Sequence, residues 1–204
     1  MIPVQLQPEP LHFLREVQEP GQRFLNRTSN PTKHWKNHEY WRKILDDLDI
    51  AYKGICSYSC HWIPKDTGFR TVEHFKDKNS YPQEAYKWKN YRFVCGTLNG
   101  RKGTSENVLD PFCIEEGWFA LDFPSLLVQP GDHVSPSIKE QVENTIRILG
   151  LNDEGTCFQA RMNWLRDYIQ VPFPFPYLEK RAPFLASELK RQDLMEKIRD
   201  IMIF

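Results

Sequence analysis

Val72-Glu73-His74-Phe75, Trp88-Lys89-Asn90-Tyr91, Cys95-Gly96-Thr97-Leu98-Asn99 and Arg101-Lys102-Gly103 follow one another along a single stretch of the chain, and their order decides the fold. Thr71–Phe75 and Tyr91–Cys95 are short β-like runs separated by a polar loop that holds Ser80-Tyr81-Pro82. The first run presents Glu73 and His74 as adjacent polar side chains near its end, and a second strand following Asn90 can pair with it antiparallel. The turn at Gly96 can open a short helix. Asn99 and Lys102 stand three apart, so both face one side of that helix.

Phosphodiester hydrolysis needs a deprotonated water, a cation on the phosphate and help for the leaving oxygen. One histidine can act as the base because its ordinary pKa lies near working pH. A carboxylate together with an amide oxygen can hold a hard divalent ion while leaving positions open to water and phosphate. A lysine adds positive charge without demanding fixed geometry. Taken singly, each residue also has an ordinary reading. His74 can be a hydrogen-bonded structural histidine, and Asn90 a turn residue entering a strand. Asn99-Gly100 can be a turn or a helix end, and Arg101-Lys102 a solvated basic pair.

The ordered set Glu73-His74, Asn90, Asn99, Lys102 resembles the HNH (ββα-metal) endonuclease family, over roughly residues 50–103. The resemblance implies that His74 is the general base, that Glu73 and Asn99 hold a divalent metal (Mg²⁺, with Mn²⁺ as the alternative), and that Asn90 pins the loop between the strands. Lys102 joins the catalytic set. The surrounding Phe75-Lys76, Ser80-Tyr81-Pro82 and Ala85-Tyr86-Lys87-Trp88 look like a bacterial branch found in anti-phage defence, which includes the HNH subunits of Septu-type systems. That likeness implies a protein partner such as an ATPase subunit.

The chain departs from the family at its cysteines. Many HNH proteins carry zinc on two Cys-x2-Cys pairs, but here Ser59 stands at the expected partner position of Cys56, and Leu98 at that of Cys95. Neither residue replaces a thiolate. The expectation is that structural zinc is absent and the space is filled by packing. A rearranged site using Cys56, Cys60, Cys95 and His61 is the alternative.

Outside the motif, residues 1–31 contain five prolines and read as an extended arm with little regular structure. Trp35, Trp41, Ile44, Leu45 and Leu48 recur at helical spacing from Thr32 to Asp49. Gly54–Cys60 reads as a strand, and Trp118–Phe123 with Leu126–Val128 as a hairpin around Pro124. Ser135-Pro136 starts a helix that ends at Gly150. Phe158, Met162, Leu165 and Ile169 form a second stripe, and Leu185, Leu189, Met195, Ile198 and Met202 a last helix. The expected fold is α+β: a small ββα-metal core surrounded by helices from both ends. Its parts are an N-terminal arm and helix over 1–49, the core with its hairpin over 50–130, and a helical region over 131–204.

Lysine plus arginine equals aspartate plus glutamate at 27 each, which argues against a free-standing DNA binder held by nonspecific charge alone. A local basic patch, or a partner that delivers substrate, is needed. Lys87, Lys89, Arg92, Arg101 and Lys102, interleaved with Tyr86, Trp88 and Tyr91, are the candidate nucleic-acid surface. Five cysteines fit reduced thiols rather than a disulfide framework. No apolar stretch has bilayer-spanning length, no signal pattern opens the chain, and a cytoplasmic location is expected. The leading expectation is a metal-dependent endonuclease acting on DNA. The alternative is a catalytically inactive HNH-like subunit serving as a binding or assembly module.

Overall fold

The computed structural model describes residues 1–171 and 173–202 and is α+β. Its contacts divide the chain into two compact units: Gln5–Cys56 with Ile63–Glu106, and Met1–Val4 with Ser57–Trp62 and the chain from Asn107 onward. This division differs from the boundaries expected at 49/50 and 130/131. From Gln5 onward the N-terminal segment belongs with the ββα core, and the hairpin belongs with the C-terminal helices.

In the first unit, strand β1 (Arg70–His74) pairs antiparallel with β2 (Tyr91–Cys95), with Glu73 opposite Arg92 and His74 opposite Tyr91. Helix α3 (Gly96–Lys102) follows β2 without a loop. Side chains alternate across a strand. Thr71 and Glu73 therefore share one face of β1, and Val72 and His74 the other.

Of the segment expected to be an irregular arm, residues 1–12 have no regular structure and residues 13–27 are helical. A π-turn over Leu14–Gln18 runs into helix α1 (Glu19–Arg27), with Pro20 in the first turn, where its missing N–H costs nothing. Phe13 and Val17 are wholly buried, and that burial supplies what local propensity does not. Gly21 lies against Tyr86, so closely that a β-carbon there would fall 2.2 Å from the ring.

The long helix expected from Thr32 is instead three 3₁₀ turns (Pro31–Lys33, Trp35–Asn37, Tyr40–Ile44), then helix α2 (Leu45–Ala51). Pro31, His34, Asn37 and His38 are poor helix formers. The aromatic contacts of Trp35 with Phe24, Trp41 and Tyr86 take precedence over the α-helical repeat.

In the second unit, β3 (Phe119–Asp122) and β4 (Leu127–Pro130) form the expected hairpin. Helix α4 (Pro136–Leu149) starts at Ser135, whose side chain accepts a hydrogen bond from the Ile138 N–H, and stops at Gly150. Helices α5 (Cys157–Gln170), α6 (Phe175–Arg181), α7 (Pro183–Arg191) and α8 (Ile198–Ile201) complete it, so the expected last helix is two pieces. Glu188 of α7 accepts the Leu121 N–H at 2.8 Å, and buried Arg161 donates to the carbonyls of Leu126 and Leu151. Gly54–Cys60, expected as a strand, is a series of turns in which Gly54 and Cys60, like Lys53 just before them, have positive φ. Among the described residues no helix is long and apolar enough to cross a membrane.

Candidate active site

The site is built at the end of β1, where the chain leaves the sheet and must be held in place by side chains. Asn90 does this holding. Its Oδ1 accepts the Lys76 N–H at 2.8 Å, and its Nδ2 donates to the carbonyls of Lys76 (3.0 Å) and Glu84 (3.1 Å). The side chain thus ties the start of the intervening loop, at Lys76, to Glu84 within it.

On the α3 face of β1, Asn99 Nδ2 donates to Thr71 Oγ1 at 2.9 Å, and Thr71 in turn donates to the Val94 carbonyl. Glu73 is 2% exposed, with its Oε1 2.9 Å from the Nζ of Lys102. That ammonium also lies 3.4 Å from the His74 carbonyl and 5.5 Å from the centre of the Phe75 ring. Glu73 therefore meets a cation one helical turn beyond Asn99. Because the Asn99 amide nitrogen is committed to Thr71, its oxygen is the atom available to a cation. A carboxylate and an amide oxygen form an all-oxygen donor set, which suits hard divalent ions rather than thiophilic ones.

On the opposite face, the His74 ring stands edge-on to Trp41 (4.6 Å between centroids) and Tyr91 (5.2 Å). Its Nε2 lies 3.0 Å from the Ala85 carbonyl, which also accepts the Tyr91 hydroxyl at 2.7 Å. A carbonyl can only accept, so Nε2 carries the proton and Nδ1 keeps its lone pair. Burial, reinforced by the charge of Lys78, lowers the pKa of His74 to about 3, which leaves the imidazole neutral at physiological pH. Thr71, Glu73, His74 and Asn99 line one cleft of about 580 Å³, together with Trp41 and Lys78.

Several members of this arrangement were not read from the sequence. Trp41 looks like a core residue of a helix, and nothing local pairs it with His74. Thr71, by contrast, was within reach, since the two-residue strand period places it beside Glu73.

The basic residues divide in a way sequence reading does not anticipate. Arg92 is 3% exposed and donates to the carbonyls of Lys89 and Tyr91, while its guanidinium stacks on Phe75. Lys102 is equally enclosed. Both were expected on a nucleic-acid surface, and both are instead interior residues, drawn in by Phe75, backbone carbonyls and Glu73. Arg101 is half-buried, and Lys89 and Lys87 are exposed, the latter 2.6 Å from Glu84. Tyr86, Trp88 and Tyr91 are buried, with their polar atoms turned to the carbonyls of His38, Gln7 and Ala85. They offer no stacking platform to a base.

The Cys95 N–H points at Cys56 Sγ, 3.5 Å away. Leu98, standing where a zinc-binding thiolate would be expected, is 1% exposed in the core. None of the five cysteines is in a disulfide. Among the described residues no group of three or more His, Cys, Asp or Glu side chains is placed to hold a metal ion.

No family model matches the chain. Over 107 residues, 52% of its length, the chain is 25% identical to the Septu protein PtuB of Bacillus thuringiensis, and the match covers 40% of that protein.

Proposed function

We propose that this protein is a metal-dependent HNH-type endonuclease that hydrolyses phosphodiester bonds in DNA, as one subunit of a bacterial anti-phage defence system. The observation that carries this reading is the state of His74. Its Nε2–H is anchored on the Ala85 carbonyl, its Nδ1 keeps a lone pair, and the residue lines the same cleft as Glu73 and Asn99. A chance resemblance would give no reason for these three side chains to share one cleft. The likeness to the Septu protein supports the defence context, and a protein partner such as an ATPase subunit is part of the same proposal.

In this mechanism Nδ1 of His74 accepts the proton of the attacking water. The Ala85 carbonyl fixes the tautomer and orients the ring, the role that second partners of histidine commonly fill. The lowered pKa leaves His74 unprotonated but only weakly basic, and the negative charge of an entering phosphate would raise its proton affinity toward the working pH. Glu73 and Asn99 would hold a Mg²⁺ or Mn²⁺ ion, which when bound supplies charge to the phosphate and to the leaving oxygen. Lys102 positions the Glu73 carboxylate from inside the protein. Lys78, which lines the cleft along with Arg42 and Arg70, is a cation that can meet phosphate.

The second reading, a noncatalytic assembly module, draws on the same ion pair: Lys102 already neutralises the carboxylate that a metal would require. Plasmid nicking with Mg²⁺ or Mn²⁺, by wild type and His74→Ala, separates the two. Metal-dependent nicking lost in the variant is expected. Activity that survives the substitution removes His74 as the base, and no nicking either alone or with a co-expressed partner favours the assembly module.

A further inference from the structure

We infer that the nucleic-acid backbone is held by the exposed basic segment Arg23–Lys43, and not by the lysines beside the HNH motif. The inference deepens, and rests on, the nuclease reading above. The segment carries Arg23, Arg27, Lys33, Lys36, Arg42 and Lys43 against the single carboxylate of Glu39, in a chain whose net charge is zero. All six cations are exposed. A neutral protein that binds a polyanion must concentrate its positive charge locally, because phosphate neutralisation supplies most of the affinity.

The fold turns this run of charge into a shaped surface. Arg23 and Arg27, one turn apart on α1, border a hollow of about 350 Å³ with Thr28, His34, His38 and Tyr40. Its floor is the Phe24 ring, stacked on His38 at 3.8 Å. Guanidinium groups, imidazoles and a hydroxyl suit a phosphate with its attached sugar. The next residues along, Glu39, Trp41 and Arg42, line the catalytic cleft, so residues 38–42 form a wall common to both hollows. A strand seated on Arg23 and Arg27 would run past Arg42 toward His74.

The competing surface is weaker. The hollow around Lys87 and Lys89 is also lined by Glu9 and Glu84, and Lys87 is already paired with Glu84 at 2.6 Å. Arg23 approaches Glu19 at 3.7 Å and Arg42 pairs with Glu39 at 2.9 Å, surface contacts that an incoming phosphate displaces at little cost.

The test is fluorescence anisotropy with a labelled DNA duplex and an RNA strand of equal length, in EDTA, across a salt series. Arg23→Ala/Arg27→Ala should weaken binding about tenfold and reduce the slope of log affinity against log salt by about two, one per lost phosphate contact. Lys87→Ala/Lys89→Ala should change affinity less than about twofold. The tighter of the two probes shows which nucleic acid the surface prefers. Equal loss in the two double variants, or loss only in the lysine variant, overturns the assignment. Metal-dependent nicking keeps the two readings apart. A wild type that nicks plasmid while Arg23→Ala/Arg27→Ala nicks equally well at limiting substrate sinks the surface and spares the nuclease. A wild type that binds through these arginines but never nicks supports the surface and sinks the nuclease.

Discussion

The ammonium of Lys102 lies 2.9 Å from a carboxylate oxygen of Glu73, and both side chains are almost wholly closed to solvent. Such a pair gives little net stability relative to apolar residues, but breaking one partner leaves an uncompensated charge inside. Lys102→Met should therefore destabilise the protein by about 3–5 kcal/mol in urea unfolding. Glu73→Gln/Lys102→Met should recover most of that loss. Millimolar Mg²⁺ should raise the Tm of Lys102→Met more than that of wild type, because a bound cation replaces the missing ammonium at Glu73. A Tm shift no larger than in wild type would argue against Glu73 as a metal ligand.

His74→Ala should reduce nicking by roughly two to four orders of magnitude, the usual contribution of a positioned general base. Circular dichroism should show a folded variant. His74→Gln can keep a hydrogen bond to the Ala85 carbonyl but cannot take up a proton, so it should be folded and equally inactive.

Asn90→Ala should act on stability before chemistry. It removes three hydrogen bonds to the backbone of the loop between β1 and β2, each contributing about 0.5–1.5 kcal/mol. Faster amide exchange confined to residues 75–90 is the expected signature.

His61 makes stability depend on pH. Burial, with the charge of Arg161 next in importance, lowers its pKa from 6.5 to about 3, and its Nε2 has no hydrogen-bond partner. Between those values the unfolded chain binds a proton that the folded chain refuses. Stability is therefore full above about 6.5 and falls with decreasing pH, by about 1.4 kcal/mol per unit, until the folded pKa is reached. His61→Phe should flatten the acid limb of urea-unfolding free energies by about one proton.

Gly21→Ala places a β-carbon 2.2 Å from the buried Tyr86 ring, so either α1 or the ring must move. Overpacking of this kind costs about 1–3 kcal/mol. The Tm should drop. The near-ultraviolet dichroism of the Phe24–Trp35–Trp41–Tyr86 cluster should change with it.

Sequence by itself determined the ββα unit, the hairpin around Pro124 and the helix from Ser135 to Gly150. In each case the deciding signals are local: strand alternation, a turn residue, or a cap that satisfies nearby backbone groups. It also set Glu73, His74, Asn90 and Asn99 in order, because their spacing follows from two strands and one helical turn. What only the tertiary structure decided is which polar groups go inside. Arg92 and Lys102 read as solvated cations until Phe75, the carbonyls of Lys89 and Tyr91, and Glu73 are seen to enclose them. The tautomer of His74 depends on an Ala85 carbonyl eleven residues away. The helicity of residues 14–27 depends on burying Phe13 and Val17, and the positive surface of Arg23–Lys43 depends on that helix. Burial and partner choice are sums over residues distant in sequence, so no local pattern carries them.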